Sequence, residues 1–340
     1  MTAIKTDALT KRFGEDVLAV DGLDLEVRDG EVFGFLGPNG AGKSTTINMI
    51  LGFLQPSAGS VDVLGMDVAR DSLAIRQRIG LLPEGYEPYE NLTGREHVQS
   101  AIHAKDADDD PDELLDRVGL DPDDARRPAS EYSTGMVKRM SLAVALVGEP
   151  ELIILDEPST GLDPDGVSLL REIIREETAR GASVFFCSHI LEEVEKVCDR
   201  VGILNEGELV ALDTIDNLRA EMQAGATVEA TVDAIPEALD LEAIAGVRSA
   251  SVGTDGDADA AGPTVRVEVT EGAAKMRALR ALDERATVAD VSIEEASLEA
   301  LFDEYTDAGA NAGGPGTGAR AAGDDASGET AVAADGGEGA

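Results

Sequence analysis

Gly37-Pro38-Asn39-Gly40-Ala41-Gly42-Lys43-Ser44-Thr45 decides how the rest of the chain is read. The stretch meets the phosphate-loop pattern G-x-x-x-x-G-K-[ST] at every position. Before it, Val32-Phe33-Gly34-Phe35-Leu36 reads as a buried strand; after it, Ile47, Ile50, Leu51 and Leu54 recur at helical spacing. The order strand, loop, helix is what the motif requires. Glycines let backbone N–H groups turn inward and approach a polyphosphate where a Cβ would intrude, and the helix start adds the positive end of its dipole. Lys43 is placed to reach the β- and γ-phosphates as a point charge, and the Ser44 hydroxyl to ligate the bridging Mg²⁺. Gly37 to Thr45 are thus the expected binding residues for a nucleoside triphosphate.

Composition bounds the remainder. With 340 residues the chain has room for two domains, and 43% hydrophobic residues can supply real cores. It contains no run of about 18 apolar residues, and Met1-Thr2-Ala3-Ile4-Lys5 lacks the apolar centre of a secretory signal. A cytoplasmic location is expected. The two cysteines, Cys187 in an apolar strand and Cys198 on a helix, suit reduced thiols better than a disulfide or metal framework. The net charge of −40, from 68 acidic against 28 basic residues, makes a field that repels nucleic acid and anionic lipid. The segment 306–340 explains little of it, with six acidic residues against Arg320. Adaptation to concentrated salt explains it better, because the Debye length falls to about 3 Å at 1 M and self-repulsion becomes tolerable.

Residues 4–27 alternate apolar and polar in two patches, around Ile4–Phe13 and Val17–Val27, with Gly14 and Gly22 as turns; a small antiparallel sheet is expected. Phe13 is the aromatic there that could stack on an adenine ring, although a core or surface role fits it almost as well. Val61, Val63 and Leu64 make a short strand, and Ile79-Gly80-Leu81-Leu82-Pro83-Glu84 follows. From Thr93 to Val147 the pattern is helical, an insertion into an α/β core, with the acidic run Asp106–Glu113 as a solvated loop and helix start. The core resumes at Leu152-Ile153-Ile154-Leu155, a continuous apolar run of the kind buried on both faces of a parallel sheet. The helix Val167–Ala179 and the run Ser183-Val184-Phe185-Phe186-Cys187 complete a right-handed strand-helix-strand crossover. Val201–Leu204 and Glu208–Val210 around Asn205-Glu206-Gly207 predict a hairpin. Beyond a composition shift near residue 222, alternating Thr227–Val232, apolar-spaced Leu239–Ile244, Ser249–Val252, Val265–Val269, helical Met276–Leu282 and Val288–Ile293 predict β-α-β-β-α-β, a small ferredoxin-like domain. Ser297–Tyr305 reads as a closing helix. From residue 307 the sequence is mostly Gly, Ala and Asp, expected to be disordered.

A phosphate loop alone says only that a nucleotide binds. Further motifs narrow the reading. Leu152-Ile153-Ile154-Leu155-Asp156-Glu157-Pro158 puts carboxylates at the carboxyl end of a buried strand, where ligands of α/β sheets sit; Asp156 is placed to hold Mg²⁺ and Glu157 to act on water. Tyr132-Ser133-Thr134-Gly135-Met136 lies upstream at a helix start, Gly161-Leu162-Asp163-Pro164 just downstream, and Ser188-His189 ends the next strand. In this order, residues 1 to about 215 resemble the ATP-binding subunit of an ABC transporter. The resemblance makes Gly37–Thr45 and Leu152–Glu157 the Walker motifs, Tyr132–Met136 the signature motif, Gly161–Pro164 the D-loop and His189 the switch histidine.

What the resemblance implies is specific. The fold is an α/β P-loop NTPase cassette over 1–215 with an antiparallel β subdomain and a helical insertion at about 93–147, then a linker over 216–225, a small α+β domain over 226–306 and a tail over 307–340. Two cassettes, as a homodimer or a pair, close head to tail over two ATP molecules. Lys43 and Ser44 of one chain hold the phosphates; Ser133 and the Gly135 N–H of the other complete the cage, with Asp163 alongside. Glu157 orients or deprotonates the attacking water, and His189 contacts the γ-phosphate. The usual signature L-S-G-G-Q is altered at Thr134 and Met136, while Ser133 and Gly135 remain. The usual Q-loop glutamine is replaced by Glu84, a carboxylate that can still reach Mg²⁺. These departures, Asn91–Glu96 and the appended domain ending in Ser297-Leu298-Glu299 resemble the single-cassette subfamily serving drug, sodium and polysaccharide exporters. The implied partner is a separate membrane permease, with the cassette peripheral on the cytoplasmic face and no nucleic acid bound. The alternative, a soluble ABC protein acting on the ribosome or DNA, calls for basic surface or a second cassette.

The charge excess carries its own test. Thermal melts at about 0.1 M and about 2 M KCl will show the higher midpoint at high salt, as the carboxylates are screened; equal midpoints contradict the salt-adapted reading.

Overall fold

The computed structural model describes residues 2–14, 16–221, 226–235, 240–253, 262–270 and 272–294. The expected closing helix Ser297–Tyr305 and the tail from residue 307 lie outside the described residues.

The centre is a six-stranded sheet in the order Glu208–Asp213, Arg200–Asn205, Val32–Leu36, Ser183–Cys187, Leu152–Asp156, Ile79–Leu82. All neighbours are parallel except the terminal hairpin pair Arg200–Asn205 and Glu208–Asp213. The hairpin turns through Glu206 and Gly207, both with positive φ (48° and 88°), as a tight two-residue turn requires. The three central strands are buried at every position, and period-two alternation divides their side chains between two cores. Phe33, Phe35, Leu152, Ile154, Phe185 and Cys187 face one side; Val32, Leu36, Ile153, Leu155, Val184 and Phe186 face the other. That double burial is why these runs read as continuous apolar stretches.

The first core is closed by the antiparallel sheet that residues 4–27 predict. Thr2–Phe13 pairs with Val17–Leu23, with Glu26–Arg28 and with Ala58–Val63, and Met66–Asp67 adds a short edge. The phosphate-loop helix Lys43–Ile50 packs into this core through Ile47, Met49 and Ile50. The second core takes up the helical insertion: Gly94–Lys105, Pro111–Arg117, Pro122–Ala125 and Thr134–Leu146. Local chemistry starts each of these helices. Thr93 and Glu96 form a reciprocal capping box. Asp110 and Asp121 cap helices with Pro at the first turn, and Ser133 caps the last by accepting from the Met136 N–H at 3.3 Å. The acidic run Asp106–Glu113 holds the left-handed end of one helix at Asp106 and the cap of the next at Asp110.

One close approach ties the insertion to the sheet. A Cβ on Gly80, in Ile79–Leu82, would lie 2.0 Å from the Ala145 carbonyl oxygen. Only glycine lets the helix Thr134–Leu146 sit this near the strand, and the contact fixes where the start of that helix, Ser133, stands. The helix Pro164–Arg180 runs from the Asp163 cap to Gly181 in the left-handed conformation (φ 104°).

Two expectations are corrected. The segment read as a linker over 216–225 opens with the helix Ile215–Glu221, and Ile215 and Leu218 are buried in the second core, so the cassette extends past residue 215. In the C-terminal part, Thr227–Val232, Val247–Gly253, Thr264–Val269 and Val288–Glu294 form an antiparallel sheet in the order second, third, first, fourth, the ferredoxin-like arrangement, with the helix Gly272–Asp283. The helix expected over Leu239–Ile244 does not form at 240–244, its part within the described residues, where the chain is irregular and turned; Leu241 is buried without a helix. Its spacing to Ile244 is satisfied equally by a turn, closed by the Ile244 N–H on the Leu241 carbonyl at 3.1 Å. Among the described residues no helix is long and apolar enough to cross a membrane.

Candidate functional site

The loop Gly37–Gly42 joins the end of Val32–Leu36 to the helix at Lys43, and its shape is set by what crowds it. A Cβ on Gly37 would fall 2.5 Å from the Leu204 carbonyl oxygen. One on Gly42, whose φ is 108°, would fall 2.3 Å from the Ala19 carbonyl oxygen. Neither position admits another residue without moving backbone. Lys43, buried, folds back over the loop and donates from Nζ to the Gly37 and Pro38 carbonyl oxygens at 2.6 and 3.1 Å. An ammonium held on carbonyls is positioned for an anion entering the loop.

Beside the loop opens a cleft of about 430 Å³. Asn39, Gly40, Gly42, Lys43, Ser44 and Thr45 of the loop line it, with Ala19 against Gly42, and so do Glu84, Asp156, Glu157 and His189. The carboxylates arrive from adjacent strands: Glu84 follows Ile79–Leu82, and Asp156 ends Leu152–Asp156. Glu157 holds a left-handed backbone (φ 48°), which is strained for a residue with a Cβ. Its N–H is tied to the Cys187 carbonyl at 2.9 Å. Its carboxylate Oε2 lies 2.8 Å from Nδ1 of His189. The backbone bond and the histidine contact together hold Glu157 toward the cleft.

Burial, first of all, raises the Asp156 pKa above the usual aspartate value; the Cys187 thiol bonded to it opposes this, Glu84 and Glu157 add to it, and Lys43 opposes it. The Cys187 thiol is itself pushed well up by burial and the Asp156 charge, which makes it inert. Carboxylates at the ends of neighbouring strands, with Ser44 lining the same cleft, make an all-oxygen donor set that suits a hard divalent cation. Ser44, Glu84 and Asp156 therefore fit Mg²⁺, and Lys43 with the loop amides fits the phosphates it would bridge. Among the described residues no group of three or more His, Cys, Asp or Glu side chains could hold a metal alone.

The structure does not bring every expected residue into this cleft. Gly37, Pro38 and Ala41 support the loop from behind without lining the cleft. Phe13 is 45% exposed, with the Lys11 ammonium 5.2 Å from its ring centre, and is not among the lining residues. Ser133, Gly135 and Asp163 lie elsewhere, together: a Cβ on Gly135 would be 3.0 Å from the Gly161 carbonyl oxygen, so signature motif and D-loop are packed on one another. Asp163 caps its helix through the Gly166 N–H at 2.9 Å and pairs with Arg139 at 3.1 Å. One chain thus presents a phosphate-binding half and, separately, a small exposed polar half. Ala19 and Cys187 enter the site without a motif to announce them; the only signal was their place beside the loop and beside Asp156 in neighbouring strands.

Similarity to known proteins agrees with this geometry. Residues 20–160 match the family model described as ABC transporter. The daunorubicin resistance ATP-binding protein DrrA3 of Streptomyces coeruleorubidus is 37% identical over 307 residues, 88% of this chain and 95% of that protein. The bacitracin transport ATP-binding protein BcrA of Bacillus licheniformis is 41% identical over 224 residues, 64% of this chain and 72% of that protein. A solved ATP-binding subunit of an ABC transporter superposes with a TM-score of 0.61 at 30% identity, over 65% of this chain and 93% of that one.

The raised Asp156 pKa yields a stability test. A carboxylate with a folded pKa above its unfolded value costs stability wherever it is ionised in the fold. Asp156→Asn, still able to accept from Cys187, will raise the melting midpoint of the nucleotide-free chain at neutral pH. The gain will shrink as pH falls through the raised value toward about 4, the unfolded value. A lower midpoint for the variant at neutral pH would contradict the assigned environment.

Proposed function

The chain belongs to the ATP-binding subunits of ABC transporters, and from that footing we propose that it powers an exporter of the drug-efflux type, working through a separate membrane permease. It is an ATP-hydrolysing cassette; the finer reading concerns how and for what. The observation that carries it is the division of the site: Lys43, Ser44, Asp156, Glu157 and His189 face one cleft, while Ser133, Gly135 and Asp163 stand on another surface of the same chain. Two copies closing head to tail would put the second set over the first, at the start of the helix Thr134–Leu146, whose N-terminal amides favour phosphate.

In that closed pair Ser44, Glu84 and Asp156 would hold Mg²⁺, which when bound neutralises phosphate charge in the transition state. Glu157 is the base for the attacking water, and its strained backbone and the contact with His189 preset its direction. His189, exposed and in contact with Glu157 through Nδ1, is the group that would meet the γ-phosphate. Phe13, exposed near the strand end, offers a face to the adenine.

The permease reading is supported by relatives named for daunorubicin resistance and bacitracin transport. Similarity to the first runs over nearly its whole length, so it includes the C-terminal sheet domain. The charge of −40 favours a salt-rich cytoplasm and disfavours a ribosome or DNA partner.

Glu157→Gln keeps shape and hydrogen-bonding capacity while removing the base. Hydrolysis will fall by about 10²–10⁴-fold, ATP binding will persist, and a Mg-ATP-dependent dimer will accumulate on size-exclusion chromatography in high salt. Near-normal hydrolysis would move the role of base to another group.

A further inference from the structure

Arg139, on the helix Thr134–Leu146, ties together three segments that are far apart in sequence. Its side chain is only 19% exposed. One arm of the guanidinium, Nη1, donates to the Val118 and Gly119 carbonyl oxygens at 3.0 and 3.4 Å, just past the end of the helix Pro111–Arg117. The other arm, Nη2, donates to Asp163 Oδ1 at 3.1 Å, the same oxygen that accepts from the Gly166 N–H at 2.9 Å. The surroundings are shaped to the group: a Cβ on Gly119 would lie 2.5 Å from Nη1, and one on Gly166 would lie 3.0 Å from Nη2. A planar fork reaches backbone oxygens and a carboxylate in one fixed geometry, which the single ammonium of a lysine does not.

We infer that Arg139 is a positioning residue for the ATP of the opposite chain: it holds the signature motif and the D-loop as one rigid surface, so that Ser133, Gly135 and Asp163 meet those phosphates together. Gly135 and Arg139 are four residues apart and so share one face of their helix. Along that face a Cβ on Gly135 would stand 3.0 Å from the Gly161 carbonyl oxygen, and one turn further on Arg139 holds Asp163. The segment Gly161-Leu162-Asp163 is thus laid against the helix at two points. Asp163 is 65% exposed, and a carboxylate in solvent keeps a fixed direction only through such bonds. The contacts to Val118 and Gly119 join the helical insertion to the same unit. Arg139, Val118, Gly119 and Asp163 are not among the residues that line the cleft with Lys43, Glu157 and His189, so loss of the guanidinium is felt in the site that the chain completes and not in the one where it holds ATP. A misplacement of about 1 Å can cost about 10²-fold in rate.

This role rests on the two-chain reading proposed above, and mixing variants of the full chain separates the two. Arg139→Gln alone will hydrolyse ATP about 10–100-fold more slowly than the parent, while its ATP affinity in EDTA, where no hydrolysis occurs, stays at the parent's value. Mixed with Lys43→Ala it will regain hydrolysis, because one site of the mixed dimer joins the intact phosphate loop of the Arg139→Gln chain to the intact Arg139 and Ser133 of the other. Mixed with Ser133→Arg it will not, because both sites then lack a sound donor surface. An arginine needed only for the fold would weaken its own chain's phosphate loop as well, and the first mixture would stay slow. Arg139→Lys, which keeps charge and stem without the fork, gives the same pattern more mildly should the glutamine variant fail to fold. Recovery in both mixtures or in neither, or parent-like hydrolysis by both variants alone, overturns the inference. Where neither recovers, a mixture of Lys43→Ala with Ser133→Arg shows what failed: if it too stays inactive, the shared site is wrong, and if it recovers, the role of Arg139 alone is wrong.

Discussion

The Gly42 Cα lies so close to the Ala19 carbonyl oxygen that a Cβ there would stand 2.3 Å from it, and Gly37 is pressed in the same way against Leu204. The phosphate loop is therefore wedged between a strand of the antiparallel sheet and a strand of the parallel one. That packing fixes the path of the loop before any ligand arrives, and the two sheets share one core with Ile47, Met49 and Ile50 of the following helix. Preorganisation of this kind spares the bound state the entropy of ordering a glycine-rich segment.

Charge is the second constraint. The parallel strands deliver Glu84, Asp156 and Glu157 to one edge, where burial above all, and then the charges of Glu84 and Glu157, oppose the ionisation of Asp156. Lys43 offsets part of this. Such a cluster is tolerable in a stable fold because it is small and lies at the mouth of a cleft, where a cation and a polyphosphate can reach it. The strain at Glu157, with φ at 48°, belongs to the same economy: a residue aimed by backbone geometry keeps its direction when ligands come and go.

Much of this was legible in the sequence where chemistry demands contiguous residues. A loop that must turn amides toward phosphate has to place its glycines, lysine and serine side by side, and a buried strand ending in Asp156-Glu157 announces itself by its apolar run. Ala19 and Cys187 were not legible, since their places in the site come from tertiary neighbours. The spacing of Leu241 and Ile244 within Leu239–Ile244 suits a helix and a turn equally, so the turn at 240–246 is not distinguishable from sequence. The linker expected over 216–225 begins inside the helix Ile215–Glu221, whose Leu218 belongs to the cassette core, because no motif marks where that packing ends. Phe13, an exposed aromatic beside Lys11, shows how little a lone ring says about what stacks on it.

The central claim is that each ATP is held by two chains, by Lys43 of one and Ser133 of the other. The most direct measurement mixes two inactive variants, Lys43→Ala and Ser133→Arg. Half of each mixed dimer then has the intact Lys43 of one chain facing the intact Ser133 of the other, whereas every homodimer has two broken sites. The account predicts that hydrolysis, absent from each variant alone, returns on mixing and scales with the amount of mixed dimer. Mixed dimers that form but recover no activity, or full activity of Ser133→Arg by itself, would contradict it.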